Sequence, residues 1–169
     1  QDEDQRPFPV SPYAVSKLAG ELYCRLFSRL YGLETVSLRY FNVFGPRQDP
    51  ESEYGSVIPR FIVQALRGEP VEVHGDGLQS RDFTFVTDVV QANLLAAKAP
   101  NVAGEVFNVG SGESHAVMDI VFFLSKFLGI DIQWRKTPPR AGDVRRTQAD
   151  IGNAKRLLGY EVEVEFPVG

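Results

Sequence analysis

The sequence predicts an α/β fold, in which helices and strands alternate along the chain. Segments with helical periodicity are followed by short runs rich in β-branched and aromatic residues, and glycine or proline stands at most of the boundaries. The chain has 169 residues, of which 43% are hydrophobic and 24% charged. This length and composition suit one α/β unit with a core of ordinary size.

The first element is predicted to be a long helix over residues 12–31. Ser11 can cap its first amides, Pro12 suits the first helical position, and Gly32 suits a left-handed C-terminal cap. Apolar side chains cover a broad face of this helix: Val15, Leu18, Ala19, Leu22, Tyr23, Leu26, Phe27 and Leu30. Such a face is wider than one neighbour in the same unit covers, so we expect it to meet a second chain.

The remaining elements follow from the same signals. We expect strands at 35–41, 71–74, 81–86, 105–109 and 130–135, helices at about 56–66, 87–99, 117–128 and 151–158, and loops at 42–47, 48–55 and 137–143. Thr87 is expected to cap the helix that it begins, with Asp88 in the first turn. Residues 75–77 (GDG) are expected to form a tight turn.

Composition argues against several classes of function. The 18 basic and 22 acidic residues give a net charge of −4, so we expect no binding to nucleic acid or to an acidic membrane surface. No apolar run approaches the roughly 18 residues of a membrane span. The single cysteine, Cys24, fits a reducing compartment, and we expect a cytoplasmic protein. With His74 and His115 as the only histidines, no metal site is expected.

Tyr13 and Lys17 form the first candidate site. They stand four residues apart in the segment 11–17 (SPYAVSK), so both side chains share one face of the predicted helix. An ammonium group beside a phenol favours the phenolate form, which can act as a general base towards a sugar or alcohol hydroxyl. Taken alone, the same spacing is also typical of a core tyrosine followed by a solvated lysine.

Six segments in this order resemble a known family. They are 9–17 (PVSPYAVSK), 38–47 (LRYFNVFGPR), 71–77 (VEVHGDG), 80–88 (SRDFTFVTD), 107–112 (FNVGSG) and 140–143 (RAGD). Together they resemble the extended short-chain dehydrogenase/reductase family of NAD-dependent nucleotide-sugar epimerases and dehydratases, of the UDP-glucose or UDP-N-acetylglucosamine 4-epimerase type. The resemblance spans nearly the whole chain, and the joint pattern is specific.

The resemblance implies the C-terminal portion of such an enzyme. We expect the last strands of a Rossmann sheet plus the small substrate-binding subdomain, without the N-terminal NAD-binding half. Residues 1–47 would carry the catalytic helix and the following strand, and 48–169 mainly the nucleotide-sugar subdomain, with 105–112 returning to the sheet. Full-length members are about twice this long, so we expect the chain to have lost its front. NAD would serve the full-length enzyme and bind this chain weakly.

The resemblance also assigns roles near the cofactor. Tyr13 would be the catalytic acid/base, and Lys17 would hold the nicotinamide ribose. Tyr40 and Phe41 would lie near the nicotinamide. The long helix 12–31 would form a homodimer interface.

The substrate would be a UDP-sugar. Asn42, Arg81 and Arg140 match positions that bind the diphosphate. The planar guanidinium of each arginine suits two phosphate oxygens. Asp143 matches the carboxylate that accepts from the nucleotide ribose. The remaining matched positions would line the sugar and the base: Val57, Ile58, Val73 and His74.

The leading interpretation is the substrate-binding half of a UDP-hexose 4-epimerase, an isomerase that oxidises and then reduces C4 of the sugar. A nucleotide-sugar 4,6-dehydratase or decarboxylase shares every motif named above, so that alternative stays open. A third interpretation, from another class, is a truncated chain without catalytic activity that binds a nucleotide or a protein. Activity of these 169 residues alone is doubtful on this view.

Overall fold

A computed structural model describes residues 1–52, 57–140 and 142–169, and it confirms the α/β class. Strands and helices alternate within these ranges. The elements are α1 (Pro12–Tyr31), β1 (Ser37–Tyr40), β2 (Asn42–Phe44), α2 (Val57–Leu66), β3 (Val71–His74), β4 (Ser80–Arg81), β5 (Phe83–Phe85), α3 (Val86–Ala96), β6 (Val106–Val109), β7 (His115–Ala116), α4 (Val117–Leu128), β8 (Trp134–Thr137) and a π-helical segment (Ala154–Leu158).

Most of the strand pairing is parallel, as helical crossovers between strands require. β1 pairs with β6, β2 with β5 and β3 with β8, all in parallel, whereas β4 and β7 are antiparallel. One residue, Phe41, separates β1 from β2, and its amide donates to the Val109 carbonyl at 3.0 Å. The chain therefore passes from one strand pair to the next at Phe41, and side chains from both pairs meet there.

Helix α1 has the predicted bounds and caps. The Ser11 hydroxyl accepts from the Ala14 amide at 3.1 Å, and Gly32 takes a left-handed conformation with φ of 68°. None of its residues is buried. Two polar contacts hold it to β1 and to the segment just before β1: Arg39 donates to both Glu21 carboxylate oxygens at 2.8 Å, and Thr35 donates its hydroxyl to the Cys24 carbonyl at 2.8 Å. These bonds to Glu21 also raise the pKa of Arg39.

The predicted loop at 42–47 is wrong in its first half. Asn42–Phe44 forms strand β2, because it lies in register beside Phe83–Phe85. The Phe44 ring packs edge-on against Phe83 and Phe85, at centroid distances of 6.4 and 5.5 Å. Burial of these rings favours the strand over the turn expected from asparagine, glycine and proline.

Three further element predictions need correction. The strand expected at 130–135 is observed at Trp134–Thr137, because the amides of Ile130 and Ile132 donate to Ser125 and continue the turn that ends α4. The strand expected at 81–86 is interrupted at Asp82 and followed at once by α3, whose cap is Phe85 and not Thr87. The short strand β7 was not predicted. The expected start of α2 at Ser56, and residues 53–55 of the loop before it, lie outside the described residues.

The buried apolar residues form two clusters. One lies between α2, α4 and β3, with Phe61, Val71 and Val73 at 0% exposure. The other joins α3 and β6 to the C-terminal segment through Tyr160, whose hydroxyl donates to the Gly110 carbonyl at 2.9 Å. Burial raises the pKa of Tyr160, so it is neutral and can donate.

A buried carboxylate, Asp82, joins distant parts of the chain. Its Oδ1 accepts from the amide and hydroxyl of Ser111 at 2.7 and 2.8 Å, and its Oδ2 accepts from the amides of Gly112 and Ala149 at 3.0 Å each. The side chain is fully buried. A buried charge survives only when hydrogen bonds replace its hydration, and these donors do so.

We expect Asp82→Asn to lower the free energy of unfolding by about 3 kcal/mol, because an amide nitrogen would face backbone N–H donors that then lose their acceptor. For a chain of this size that corresponds to a fall in the melting temperature of about 6 to 12 °C. Differential scanning calorimetry measures it. Asp131→Asn, at an exposed position, is the matched control and should leave the transition in place. An unchanged transition for Asp82→Asn would contradict the role given to this carboxylate.

Candidate functional site

Two adjoining clefts meet at the start of α1. The first, which we call the arginine cleft, has a volume of about 420 Å³, and the second, the helix cleft between α1 and β1, has about 810 Å³. Tyr13 and Phe41 line both. A group bound in one cleft can therefore reach a group bound in the other across these two side chains.

The arginine cleft collects most of the residues predicted to bind substrate. Those that line it are Asn42, Val57, His74, Arg81, Arg140 and Asp143. They come from the start of β2, the first turn of α2, the end of β3, strand β4 and the loop after β8. Residues that are far apart in sequence thus meet in one concave site.

Ile58 and Val73 do not line the arginine cleft. Ile58 is 8% exposed and Val73 is 0% exposed, and both belong to the apolar cluster between α2, α4 and β3. Each is next in sequence to a residue that does line the cleft, Val57 on helix α2 and His74 on strand β3. Their contribution is to pack those elements, not to contact a ligand in this cleft.

The helix cleft holds the four residues predicted to contact the cofactor: Tyr13, Lys17, Tyr40 and Phe41. The Lys17 ammonium lies over the Tyr13 ring, 5.2 Å from its centroid, as the spacing of four on a helix requires. Tyr40 is half-exposed, and its hydroxyl donates to Asn93 at 3.0 Å. The Tyr–Lys pair is therefore formed on α1, where Lys17 lines the helix cleft and Tyr13 lines both clefts.

Arg81 and Asp143 form an ion pair inside the arginine cleft. Arg81 also donates to the Ser80 carbonyl at 2.7 Å, which holds the guanidinium against β4. Asp143 lies at the end of a turn in which its amide donates to the Arg140 carbonyl at 3.2 Å. Arg81, Arg140 and Asp143, three of the residues predicted to bind the substrate, are thus already connected to one another.

The cleft contains more positive than negative charge. Arg60, Arg81 and Arg140 line it, against the carboxylates Glu72 and Asp143. Glu72 is bound by Arg135, and this hydrogen bond lowers the pKa of Glu72. Burial lowers the pKa of Arg60, and the nearby charge of Arg140 lowers it further. The cleft is suited to an anionic group.

His74 is oriented by its neighbours. Its Nδ1 lies 3.1 Å from the Pro138 carbonyl oxygen and 2.8 Å from the Thr137 hydroxyl. These two contacts hold the imidazole ring at the end of β3 through Nδ1. Gln79 donates to the His74 carbonyl at 2.8 Å and fixes the backbone at the same point.

Sequence reasoning missed four polar residues of the cleft: Gln48, Arg60, Glu72 and Gln79. A signal for Arg60 was available, because it is the only charged residue in the mostly apolar helix α2. Glu72 alternates with buried Val71 and Val73 on β3 and so had to face the other side. Nothing in the sequence distinguishes Gln79 from a solvated polar residue.

The described residues contain no group of three or more His, Cys, Asp or Glu side chains placed to hold a metal ion. The single cysteine, Cys24, is a free thiol on α1. Among the helices described, none is long and apolar enough to cross a membrane.

The α/β fold brings a Tyr–Lys pair, a candidate proton-transfer group, beside a cleft that is lined with arginines and suited to an anionic ligand. The chain belongs to the NAD dependent epimerase/dehydratase family, whose family model matches residues 1–110. The predicted family is therefore confirmed.

Solved structures of epimerases are similar to this chain. UDP-glucose 4-epimerase from Thermotoga maritima, with UDP-glucose, is 43% identical with a TM-score of 0.95, over 100% of this chain and 54% of that one. UDP-glucuronic acid 4-epimerase from Bacillus cereus, in complex with UDP-glucuronic acid and NAD, is 37% identical with a TM-score of 0.90, over 98% and 52% of the two chains.

In sequence, the UDP-glucose 4-epimerase of Mycolicibacterium smegmatis is 37% identical over 167 residues. These are 99% of this chain and 53% of that relative. The chain thus spans about half the length of the relatives that it matches. NAD is the cofactor present in the relative from Bacillus cereus, as expected for the family.

Proposed function

We propose that this chain is the substrate-binding half of an NAD-dependent UDP-hexose 4-epimerase. One observation carries the proposal: the arginine cleft and the helix cleft share Tyr13 and Phe41. A nucleotide sugar in the first and a nicotinamide in the second would then meet at the group that transfers the proton. The relatives described above are 4-epimerases of UDP-sugars, which supports an epimerase over a dehydratase or decarboxylase.

In the proposed reaction, Tyr13 takes the proton from the 4-hydroxyl of the sugar and later returns it. Lys17, whose ammonium lies 5.2 Å from the Tyr13 ring centroid, would hold the nicotinamide ribose beside the phenol. The helix cleft is lined by Lys17, Tyr40 and Phe41, which fit a nicotinamide riboside with an ammonium and two aromatic rings. Bound NAD would supply hydride acceptance and return at C4.

The arginine cleft would hold the nucleotide. Arg81 and Arg140 would bind the diphosphate, with Asn42 at the start of β2 donating to it. Asp143 would accept from the ribose. Because Asp143 and Arg81 form an ion pair in this structure, a diphosphate would compete with the carboxylate for the Arg81 guanidinium.

The first test is a calorimetric titration of the chain with UDP-glucose. We expect saturable binding, and we expect Arg81→Ala to weaken it about ten-fold or more, because a charge-assisted contact to phosphate is lost. Arg25→Ala, on the exposed surface of α1, is the control and should bind like the unchanged chain. Equal affinity in Arg81→Ala would assign Arg81 to the surface, and no binding by the unchanged chain would contradict the proposed function.

The second test concerns the proton. In a full-length protein that contains this chain, Tyr13→Phe should lower kcat by a factor of about 10² to 10⁴ with little effect on KM, since only the proton-transferring oxygen is removed. Tyr23→Phe, further along α1 and also exposed, is the matched control. A Tyr13→Phe enzyme that retains most of its turnover would exclude Tyr13 from the mechanism.

We further propose a homodimer through α1. Its apolar face is uncovered, with Leu22 and Leu26 each 48% exposed and Leu30 64% exposed. Covering such a face is favourable by about 25 cal/mol per Å² of apolar area, and a two-fold arrangement lets one patch cover itself.

Sedimentation velocity over a concentration series tests this association. We expect a dimer whose proportion increases with concentration, and Leu26→Glu should shift it to the monomer because a charge then enters the interface. Leu94→Glu, at a leucine of α3 that is 57% exposed, should leave the dimer intact. A monomer at every concentration up to the high micromolar range would exclude the interface.

A further inference from the structure

Arg60 is a charged residue that lines the arginine cleft and to which no role has yet been assigned. It lies in the first turn of α2 and is the only charged residue of that helix. Val57, Arg60 and Phe61 share the face that lines the cleft, as the i, i+3 and i+4 positions of a helix do. The buried face of α2 consists of Ile58, Phe61 and Ala65, and Arg60 lies beside Phe61 at the edge of that face, so the packing of α2 directs Arg60 to the site.

The carboxylates that could neutralise Arg60 are already engaged. Asp143 pairs with Arg81, and Glu72 pairs with Arg135 of the neighbouring strand β8. Within residues 1–52, 57–140 and 142–169, neither Arg60 nor Arg140 has a carboxylate oxygen within 4.0 Å. Two guanidinium groups therefore line one cleft without an ion-pair partner from the part of the chain that is described.

The surroundings of Arg60 disfavour its charge. It is half-buried, and both this burial and the repulsion from Arg140 lower its pKa, with only Glu72 acting in the other direction. A guanidinium stays charged at neutral pH in spite of this. The cost of holding two such cations together is offset when an anion binds between them.

We propose that Arg60 acts with Arg140 to bind a phosphate group of the nucleotide sugar, so that the site selects nucleoside diphosphates over uncharged nucleosides. This rests on the proposed function and adds a residue to the set assigned above. A planar guanidinium offers two parallel N–H donors to phosphate oxygens. Because Asp143 already occupies Arg81, the Arg60–Arg140 pair is the part of the cleft that can accept the anion without first breaking an ion pair.

The test compares UDP with uridine, titrated calorimetrically into the chain and its variants. Arg60→Gln should weaken UDP binding about ten-fold or more and leave uridine binding unchanged, because only the phosphate contact is lost. Arg60→Lys keeps the charge without the planar fork and should give a smaller loss. Arg67→Gln is the control, since Arg67 follows α2 directly, is exposed and does not line the cleft. Thermal unfolding of each variant shows that it is folded.

Each other outcome is decisive. Unchanged UDP affinity in Arg60→Gln, with UDP bound normally by the unchanged chain, would overturn this inference and leave the proposed function standing. An equal loss for uridine would mean that Arg60 contacts the base or ribose, which also overturns it. An equal loss in Arg67→Gln would show a nonspecific effect of charge. If the unchanged chain bound no UDP at all, both this inference and the proposed function would fail.

Discussion

The hydrogen bonds accepted by the buried carboxylate of Asp82 determine how the arginine cleft is assembled. Its side chain joins the turn at Ser111 and Gly112 to the segment at Ala149, and its backbone carbonyl accepts from the Asn42 amide at 3.0 Å. Neighbouring residues of an extended chain point in opposite directions. Because Asp82 points inward to these donors, Arg81 points outward into the cleft.

The hydrogen bonds to Asp82 also explain why residue 110 is a glycine. Gly110 precedes the turn that Asp82 binds. A Cβ at this position would lie 2.5 Å from the Ala149 Cβ and 2.8 Å from Asp82 Oδ2, and neither neighbour can move without breaking the hydrogen bonds to the carboxylate. Close packing is also needed on the other side, where the Gly110 carbonyl accepts from buried Tyr160. The C-terminal segment is thereby connected to the strand that carries Arg81, and the position of this cleft-lining residue depends on packing far along the chain.

Local signals in the sequence determined much of the fold. The caps at Ser11, Gly32 and Gly129 are local, and the helices that they bound, α1 and α4, were predicted with the observed limits. Errors arose where distant contacts decide the backbone: Asn42–Phe44 becomes a strand only because Phe83–Phe85 lies beside it. The interruption at Asp82 has the same origin, since its donors lie 29 and 67 residues away.

In the candidate site, too, some features could be predicted from the sequence, and others depend on contacts formed only in the folded chain. Family motifs marked Tyr13, Arg81, Arg140 and Asp143, and the structure brings these residues to one cleft. The alternation of β3 decides which of its residues face the site, and so Glu72 and His74 line the cleft while Val73 packs in the core. Arg60 belongs to no motif. Its importance depends on which carboxylates are already paired, and that pairing is a property of the folded chain.

The position of α1 links the fold to the proposed chemistry. No residue of this helix is buried, so apolar packing holds it weakly, and the two polar contacts through Arg39 and Thr35 fix how it lies on β1. Tyr13, the proposed proton-transfer group, is at the exposed start of the helix, where the two clefts meet. A surface that covers the apolar face of α1 would therefore restrict the motion of Tyr13 and Lys17 as well as bury leucines. In the proposed dimer, association through α1 and the geometry of the Tyr–Lys pair would in this way be physically coupled.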